Sequence, residues 1–119
     1  MDMHFEGVIF STHADELARR LDHEYPPSLV LDVRDEGAFA QARVRNSIRV
    51  SPSSLSDFPG GTDAGTEFFV MGVDATDNAV RETATVLKKL GARRVVEVTG
   101  GFFEWVRQGH ALERGRSAA

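Results

Sequence analysis

The feature of this sequence that most constrains its fold is the alternation of short, branched apolar runs with segments of helical periodicity. The runs that predict strands lie at residues 8–10, 29–33, 48–50, 68–73 and 95–98. Helical patterns separate most of these runs, for example at 14–21, and another follows the last run around Trp105. Strands that alternate with helices are joined by right-handed crossovers and form a mostly parallel sheet, so the sequence predicts an α/β fold.

Start and stop signals refine two of the predicted helices. Asp35 is placed to cap a short helix after the second strand. Gly91 is placed to end a long helix, whose apolar face would contain Val80, Ala84, Leu87 and Leu90. In a parallel sheet the ligand crevice lies beyond the carboxyl ends of the strands, so the loops after the strands are the places to look for a site.

The chain length of 119 residues fits one domain, which we expect to span 1–119 with its core at about 8–112. Residues 51–66 are rich in Ser, Gly, Pro and Asp, and they predict a loop. Too little chain lies on either side of this loop for it to be a boundary between two domains.

Composition excludes several classes of site and partner. The chain has no cysteine, which rules out disulfides, thiolate metal sites and thiol nucleophiles. Its formal charge of −4 gives no reason to expect nucleic-acid binding, and no run approaches the ~20 apolar residues of a membrane helix. The first six residues do not resemble a secretory signal, so we expect a cytoplasmic location. The four histidines are scattered and predict no metal site, and no motif indicates a cofactor.

Three segments together resemble the rhodanese-like domain. Residues 29–36, Leu-Val-Leu-Asp-Val-Arg-Asp-Glu, are similar to that family's Leu-Asp-Val-Arg segment. Residues 43–48 occupy the place of its Gly-His-Ile-Pro-Gly-Ala turn, and residues 100–105 are similar to its terminal Gly-Gly-x-x-x-Trp. The resemblance extends over nearly the whole chain. It implies a five-stranded, mostly parallel sheet flanked by helices on both faces.

The resemblance fails at the family's chemistry. Active members carry a cysteine after the fourth strand, in a loop Cys-x-x-Gly-x-Arg whose backbone N–H groups surround the sulfur. Alignment on the glycine that ends the next helix puts Asp74 at the cysteine, Asp77 at the glycine and Ala79 at the arginine. Arg43 replaces the histidine of the earlier turn, and Val80 stands where phosphatase relatives have an arginine. Cysteine-dependent sulfurtransferase or phosphatase activity is therefore not expected.

Two interpretations are open for the loop residues Asp74, Ala75, Thr76, Asp77, Asn78 and Ala79. In one, backbone N–H groups at the start of a helix form an anion cradle, and Asp74 fills it with its own carboxylate. The pKa of Asp74 would then fall and external anions would be repelled, with Asp77 adding to the repulsion. In the other, Asp74 or Asp77 is a helix cap, and both interpretations can hold together.

Three more side chains are candidates for a ligand-binding rim. Asp32 and Arg34 come at the end of a buried strand, although Asp32 can equally order the neighbouring turns through backbone hydrogen bonds. Arg43, together with Arg45 and Arg49, could bind an acidic partner or form a solvated basic patch.

The sequence leaves two functions open. The first is a catalytically inactive rhodanese-like domain that binds or regulates, through an unknown protein partner or through self-association. Its candidate surfaces are the loop at 51–66 and the basic turn at Arg43. The second is an enzyme of the same fold. It would be either a sulfurtransferase inferred from the scaffold alone or an enzyme with carboxylate chemistry at Asp74 and Asp77.

Overall fold

The computed structural model describes residues 8–55 and 62–115. Its strands are β1 (Phe10–Thr12), β2 (Ser28–Asp32), β3 (Ala42–Arg43), β4 (Ile48–Arg49), β5 (Glu67–Met71), β6 (Arg94–Val98) and β7 (Glu113–Arg114). Five of them form one parallel sheet in the order β1-β6-β5-β2-β4. This confirms the predicted α/β class, although β1 begins two residues later than the apolar run at 8–10 indicated.

The helices follow the strands as the sequence pattern predicted. They are α1 (Ala14–Leu21), α2 (Glu36–Gln41), α3 (Asn78–Lys89) and α4 (Gly101–Arg107). Asp35 caps α2, because its carboxylate accepts a hydrogen bond of 2.8 Å from the N–H of Ala38. Gly91 follows α3 with a φ of +100°, a left-handed conformation that favours glycine and ends the helix.

Helices cover both faces of the sheet, and each face has its own apolar core. Successive residues of a strand point to opposite faces, so Val70 packs beneath α3 whereas its neighbour Met71 packs beneath α1 and α4. Leu87 lies in the α3 core and Trp105 in the other. Leu90 was expected on the buried face of α3 but is 40% exposed, because it lies at the end of that helix.

A second, two-stranded sheet was not predicted. β3 and β7 pair in antiparallel register, with Arg43 opposite Glu113. Both strands are only two residues long, and the second lies just past the expected core limit at residue 112. In the predicted loop at 51–66, residues 52–54 form a short 3-10 turn, and residues 56–61 lie outside the described part of the chain.

Candidate functional site

The loop aligned with the family's cysteine loop lies at the centre of the carboxyl edge of the main sheet. It connects the end of β5 at Met71 with the start of α3 at Asn78. β5 is the middle strand, between β6 and β2, so the residues that follow all three strands meet around this loop.

Asp77 closes the loop from inside. Its Oδ1 accepts a hydrogen bond of 3.0 Å from the N–H of Ala79, which makes it the N-cap of α3. Its Oδ2 accepts a hydrogen bond of 2.8 Å from the N–H of Val73, at the other end of the loop. One carboxylate therefore bridges both ends of the segment, and the helix-cap interpretation holds for Asp77.

Asp74 stands at the position aligned with the family's cysteine and forms a local turn. Its Oδ1 accepts hydrogen bonds from the Thr76 hydroxyl at 2.7 Å and from the Thr76 N–H at 2.9 Å. These bonds, the hydroxyl first, hold the pKa of Asp74 below its ordinary value. Several backbone N–H groups were expected around Asp74, but it accepts one, whereas Asp77 accepts two.

The other loop positions bring no group that could replace a thiolate. Ala75 and Asn78 are exposed, and Ala79 contributes its backbone N–H to Asp77. Arg81, the nearest arginine in sequence, donates to Glu97 on β6 across a cavity of about 320 Å³, and this pairing raises the pKa of Arg81. Its guanidinium is thus engaged with a carboxylate outside the loop.

One glycine, Gly101, lets the loop pack closely against the start of α4. A Cβ on Gly101, which has a φ of +61°, would lie 2.7 Å from the carbonyl oxygen of Gly72. N–H groups in the first turn of α4 donate to carbonyls of the loop just after β5, from Phe102 to Gly72 at 2.8 Å and from Phe103 to Val73 at 2.9 Å. These bonds satisfy helix N–H groups that have no partner within the helix, and they fix the loop to α4.

The predicted rim residues Asp32 and Arg34 are buried and bind each other. Asp32 is fully buried and Arg34 is 6% exposed. The guanidinium donates to both carboxylate oxygens of Asp32 and to the carbonyl of Ala42, and it lies 3.7 Å from the centre of the Phe102 ring. A rim role for this pair stays a prediction, and it would require the pair to open.

Arg43 is also buried, at 4% exposed, and so is not part of a solvated patch. Its guanidinium donates to Glu113 on β7 at 3.2 Å and to the carbonyls of Phe39 and Gly115. The short strand pair β3–β7, which the sequence pattern did not reveal, supplies this partner. Arg45 remains exposed.

An exposed apolar cluster formed by the loop and α4 was missed by the sequence analysis. It consists of Val73, Phe103 and Val106, which are 51%, 63% and 46% exposed. Phe103 contacts Val73 through the backbone hydrogen bond described above, and Val106 lies three residues further on α4, on the same helix face. A helical projection of α4 separates these residues from the buried Trp105, and this signal could have identified them.

Within residues 8–55 and 62–115, no helix is long and apolar enough to cross a membrane. In the same residues, no group of three or more His, Asp or Glu side chains could hold a metal ion.

Comparisons with known proteins agree with the geometry. The family model of the rhodanese-like domain matches residues 13–108. A solved protein of Bacillus halodurans, BH2092, superposes with a TM-score of 0.79 at 21% identity, over 88% of this chain and 77% of that chain. A rhodanese-related protein from Thermoplasma volcanium gives 0.67 at 24% identity, over 87% and 97%. A thiosulfate sulfurtransferase from Pseudomonas aeruginosa gives 0.78 at 21% identity, over 94% of this chain but 21% of that chain. No curated protein sequence matches.

Proposed function

This chain belongs to the rhodanese-like domain family, and we propose that it is a catalytically silent member that acts by binding a partner protein. The observation that carries the proposal is the bonding of the loop aligned with the family's cysteine loop: Asp77 accepts N–H groups from both of its ends, and Asp74, at the cysteine position, accepts the N–H of Thr76. A cytoplasmic location belongs to the same proposal and rests on the sequence expectation alone. Fractionation of cells that express the full-length protein checks it.

The proposed lack of sulfurtransferase activity follows from the chemistry of the residues in the loop. Sulfur transfer needs a nucleophile that can carry a persulfide, and a thiolate does so because sulfur is soft and polarizable. The chain has no cysteine, and a carboxylate cannot carry a sulfane sulfur reversibly. Asp74 and Asp77 also place negative charge where the thiosulfate anion would have to enter.

Carboxylate chemistry at Asp74 and Asp77 is less well supported. A general acid or base is most effective when its pKa lies near the working pH, which for a carboxyl requires a raised pKa. Hydrogen bonds from Thr76 shift the pKa of Asp74 in the opposite direction. Both oxygens of Asp77 accept backbone hydrogen bonds, from Val73 and from Ala79, so this carboxylate already has a structural role in the loop and at the start of α3.

The binding role is supported by the exposed apolar cluster of Val73, Phe103 and Val106. Exposed aromatic and branched side chains grouped together are typical of interaction sites. Three carboxylates lie at the same edge of the sheet, on Asp35, Asp74 and Asp77.

Their hydrogen-bond donors are backbone N–H groups and one hydroxyl, and none of them forms an ion pair within the described residues. An apolar cluster beside uncompensated negative charge complements a partner segment with apolar residues flanked by lysine or arginine. We therefore propose that the surface binds a basic, amphipathic segment of another protein.

The first experiment tests whether the protein lacks sulfurtransferase activity. Purified protein is assayed with thiosulfate and cyanide, and thiocyanate formation is expected to equal the blank without protein. Turnover above the blank that survives removal of contaminating sulfurtransferases would end the proposal of a silent domain.

The second experiment tests binding with a synthetic amphipathic peptide of leucine and lysine, and with its counterpart in which glutamate replaces lysine. The lysine peptide is expected to shift the amide resonances of Val73 and Phe103, and the glutamate peptide is not. Phe103→Ser should weaken binding about tenfold, as expected for an exposed aromatic anchor. Tyr25→Ser is the matched control, because Tyr25 is 79% exposed and precedes β2 at the opposite edge of the sheet.

Equal binding of both peptides, or equal loss in both variants, would contradict the proposed surface. Sedimentation of the protein alone tests the remaining alternative, which is self-association through the same cluster. A dimer that Phe103→Ser dissociates would mean that a second copy, and not another protein, covers the cluster.

A further inference from the structure

A groove of about 760 Å³ opens on the α1 and α4 face of the sheet, where neither the family's chemistry nor the proposed docking surface lies. It runs between the second half of α1 and residues 44–46, over the first half of β2. Val30, Val44 and Trp105 line its inner side, and all three are buried against the core. This size lies within the range of about 300–1,000 Å³ that is usual for small-molecule sites.

The walls of the groove carry charged side chains that form no ion pair or side-chain hydrogen bond within the described residues. Arg19 on α1 and Arg45 on the opposite side both line it, both are exposed, and neither forms an ion pair or side-chain hydrogen bond within the described residues. The lining has two carboxylates. Asp15 contacts His110, with 2.6 Å between Oδ1 and Nε2, whereas Asp22 forms no side-chain hydrogen bond or ion pair within the described residues. Unpaired guanidinium groups thus outnumber unpaired carboxylates around the groove.

The arginines and the apolar inner side of the groove favour one class of ligand. The planar guanidinium binds carboxylates and phosphates with two parallel hydrogen bonds, and it is less strongly hydrated than an ammonium. An apolar inner side beside such donors suits a ligand with a hydrophobic body and an anionic head.

We propose that this groove binds a small amphipathic anion, with its apolar body against Val30, Val44 and Trp105 and its carboxylate or phosphate held by Arg19 and Arg45. The site is independent of the proposed partner surface, because it uses other residues on another part of the fold. Arg19 and Arg45 would then be specificity-determining residues for the anionic head.

Trp105 supplies a direct reporter, because it is the only tryptophan in the chain and its Nε1–H donates to Ala111 at the groove. The full-length protein is titrated with naphthoate, naphthyl phosphate and naphthylmethylammonium while the indole N–H resonance is followed by NMR. Both anions are expected to shift it saturably and the cation is not. The tighter of the two anions identifies the preferred head group.

Arg19→Gln and Arg45→Gln are each expected to weaken anion binding about tenfold, the loss of one charge-assisted hydrogen bond. Arg93→Gln is the matched control, since Arg93 is exposed and lies outside the lining, and it should bind like the wild type. These exposed positions leave folding intact. No saturable shift with either anion, equal binding of the cation, or unchanged affinity in both arginine variants would overturn the proposal.

Discussion

Arg34 turns back onto Asp32, two residues earlier in the chain, and their buried side chains form an ion pair with 2.8 Å between Nη2 and Oδ2. Asp32 also accepts the backbone N–H of Arg34 at 2.9 Å. The pair therefore fixes the direction in which the chain leaves β2. Through the contact of Arg34 with Phe102 it also ties that exit to α4.

Removal of one partner leaves the other charge in the interior without compensation. Arg34→Ala is expected to lower the free energy of unfolding by about 3–5 kcal/mol, measured by urea denaturation. Arg34→Lys should recover only part of this loss, because an ammonium cannot reproduce the two-pronged contact. Glu36→Gln breaks an exposed pair with Arg49 at 3.9 Å, and it should cost less than about 1 kcal/mol. Similar losses for the buried and the exposed pair would contradict this account.

The two loop aspartates are expected to differ in their effect on stability. Asp77→Ala removes acceptors for the N–H groups of Val73 and Ala79, and should lower the free energy of unfolding by about 1–2 kcal/mol. Asp74→Ala removes an exposed local turn and should cost less. Hydrogen exchange at Val73 and Ala79 should quicken in the first variant and not in the second. The reverse order would show that Asp74 organises the loop.

The strand and helix pattern was predictable because each element carries its own periodicity. The run around Val70 is apolar on both faces, as expected for a parallel strand covered by helices on both sides. Asp35 was identifiable as a cap from its place before the helix. The pair β3–β7 was not, because two-residue strands have no periodicity and owe their pairing to contacts 70 residues apart, such as Arg43 with Glu113.

The place of the loop in the fold was predictable, but its hydrogen bonding was not. Alignment with the family placed Asp74 and Asp77 in one loop, and the structure brings them together there. Which carboxylate reaches which N–H depends on side-chain rotamers within the closed loop, and sequence spacing does not determine these. The exposure of Phe103 depends on the rotation of α4, which the buried Trp105 sets.

The hydrogen bonds to Asp74 should make the Tm of the protein depend on pH in the acid range. Its folded-state pKa lies below the ordinary value of 3.8, so the ionised carboxylate favours the folded protein above that pH. The contribution is lost as the pH falls through the folded-state pKa. Between about pH 5 and the acid limit of folding, the Tm of the wild type should therefore fall more steeply than that of Asp74→Asn. Thr76→Val, which removes the hydroxyl donor, should give an intermediate slope. Parallel profiles for all three proteins would disprove the link.

Thr83 carries a polar atom that the fold leaves unused. Its side chain is fully buried in α3, and its hydroxyl has no hydrogen-bond partner within residues 8–55 and 62–115. Thr83→Val keeps the shape and removes the cost of burying that hydroxyl, so the free energy of unfolding should rise by about 1 kcal/mol. Thr99→Val is the control, because the Thr99 hydroxyl bonds to the Thr12 carbonyl and to His13, and its loss should not stabilise. A loss of stability in Thr83→Val would indicate a partner for this hydroxyl, such as a buried water.

Gly101 lies at the start of α4, in close contact with the loop. Its replacement by alanine should destabilise the protein in two ways, through the left-handed backbone and through a steric clash. Gly101→Ala and Gly109→Ala both force alanine into a left-handed backbone, with φ of +61° and +77°, which costs about 1–2 kcal/mol. A Cβ at Gly109 meets nothing within 4 Å, whereas at Gly101 it would lie 2.7 Å from Gly72 O and 2.8 Å from Asp74 N. These are backbone atoms, so α4 must move away from the loop. Gly101→Ala is therefore expected to destabilise the protein more than Gly109→Ala. Unlike Gly109→Ala, it should also quicken hydrogen exchange at Phe102 and Phe103, whose N–H groups bond to loop carbonyls just after β5. Equal effects of the two substitutions on stability and exchange would mean that the loop and α4 are held together by something other than this close backbone contact.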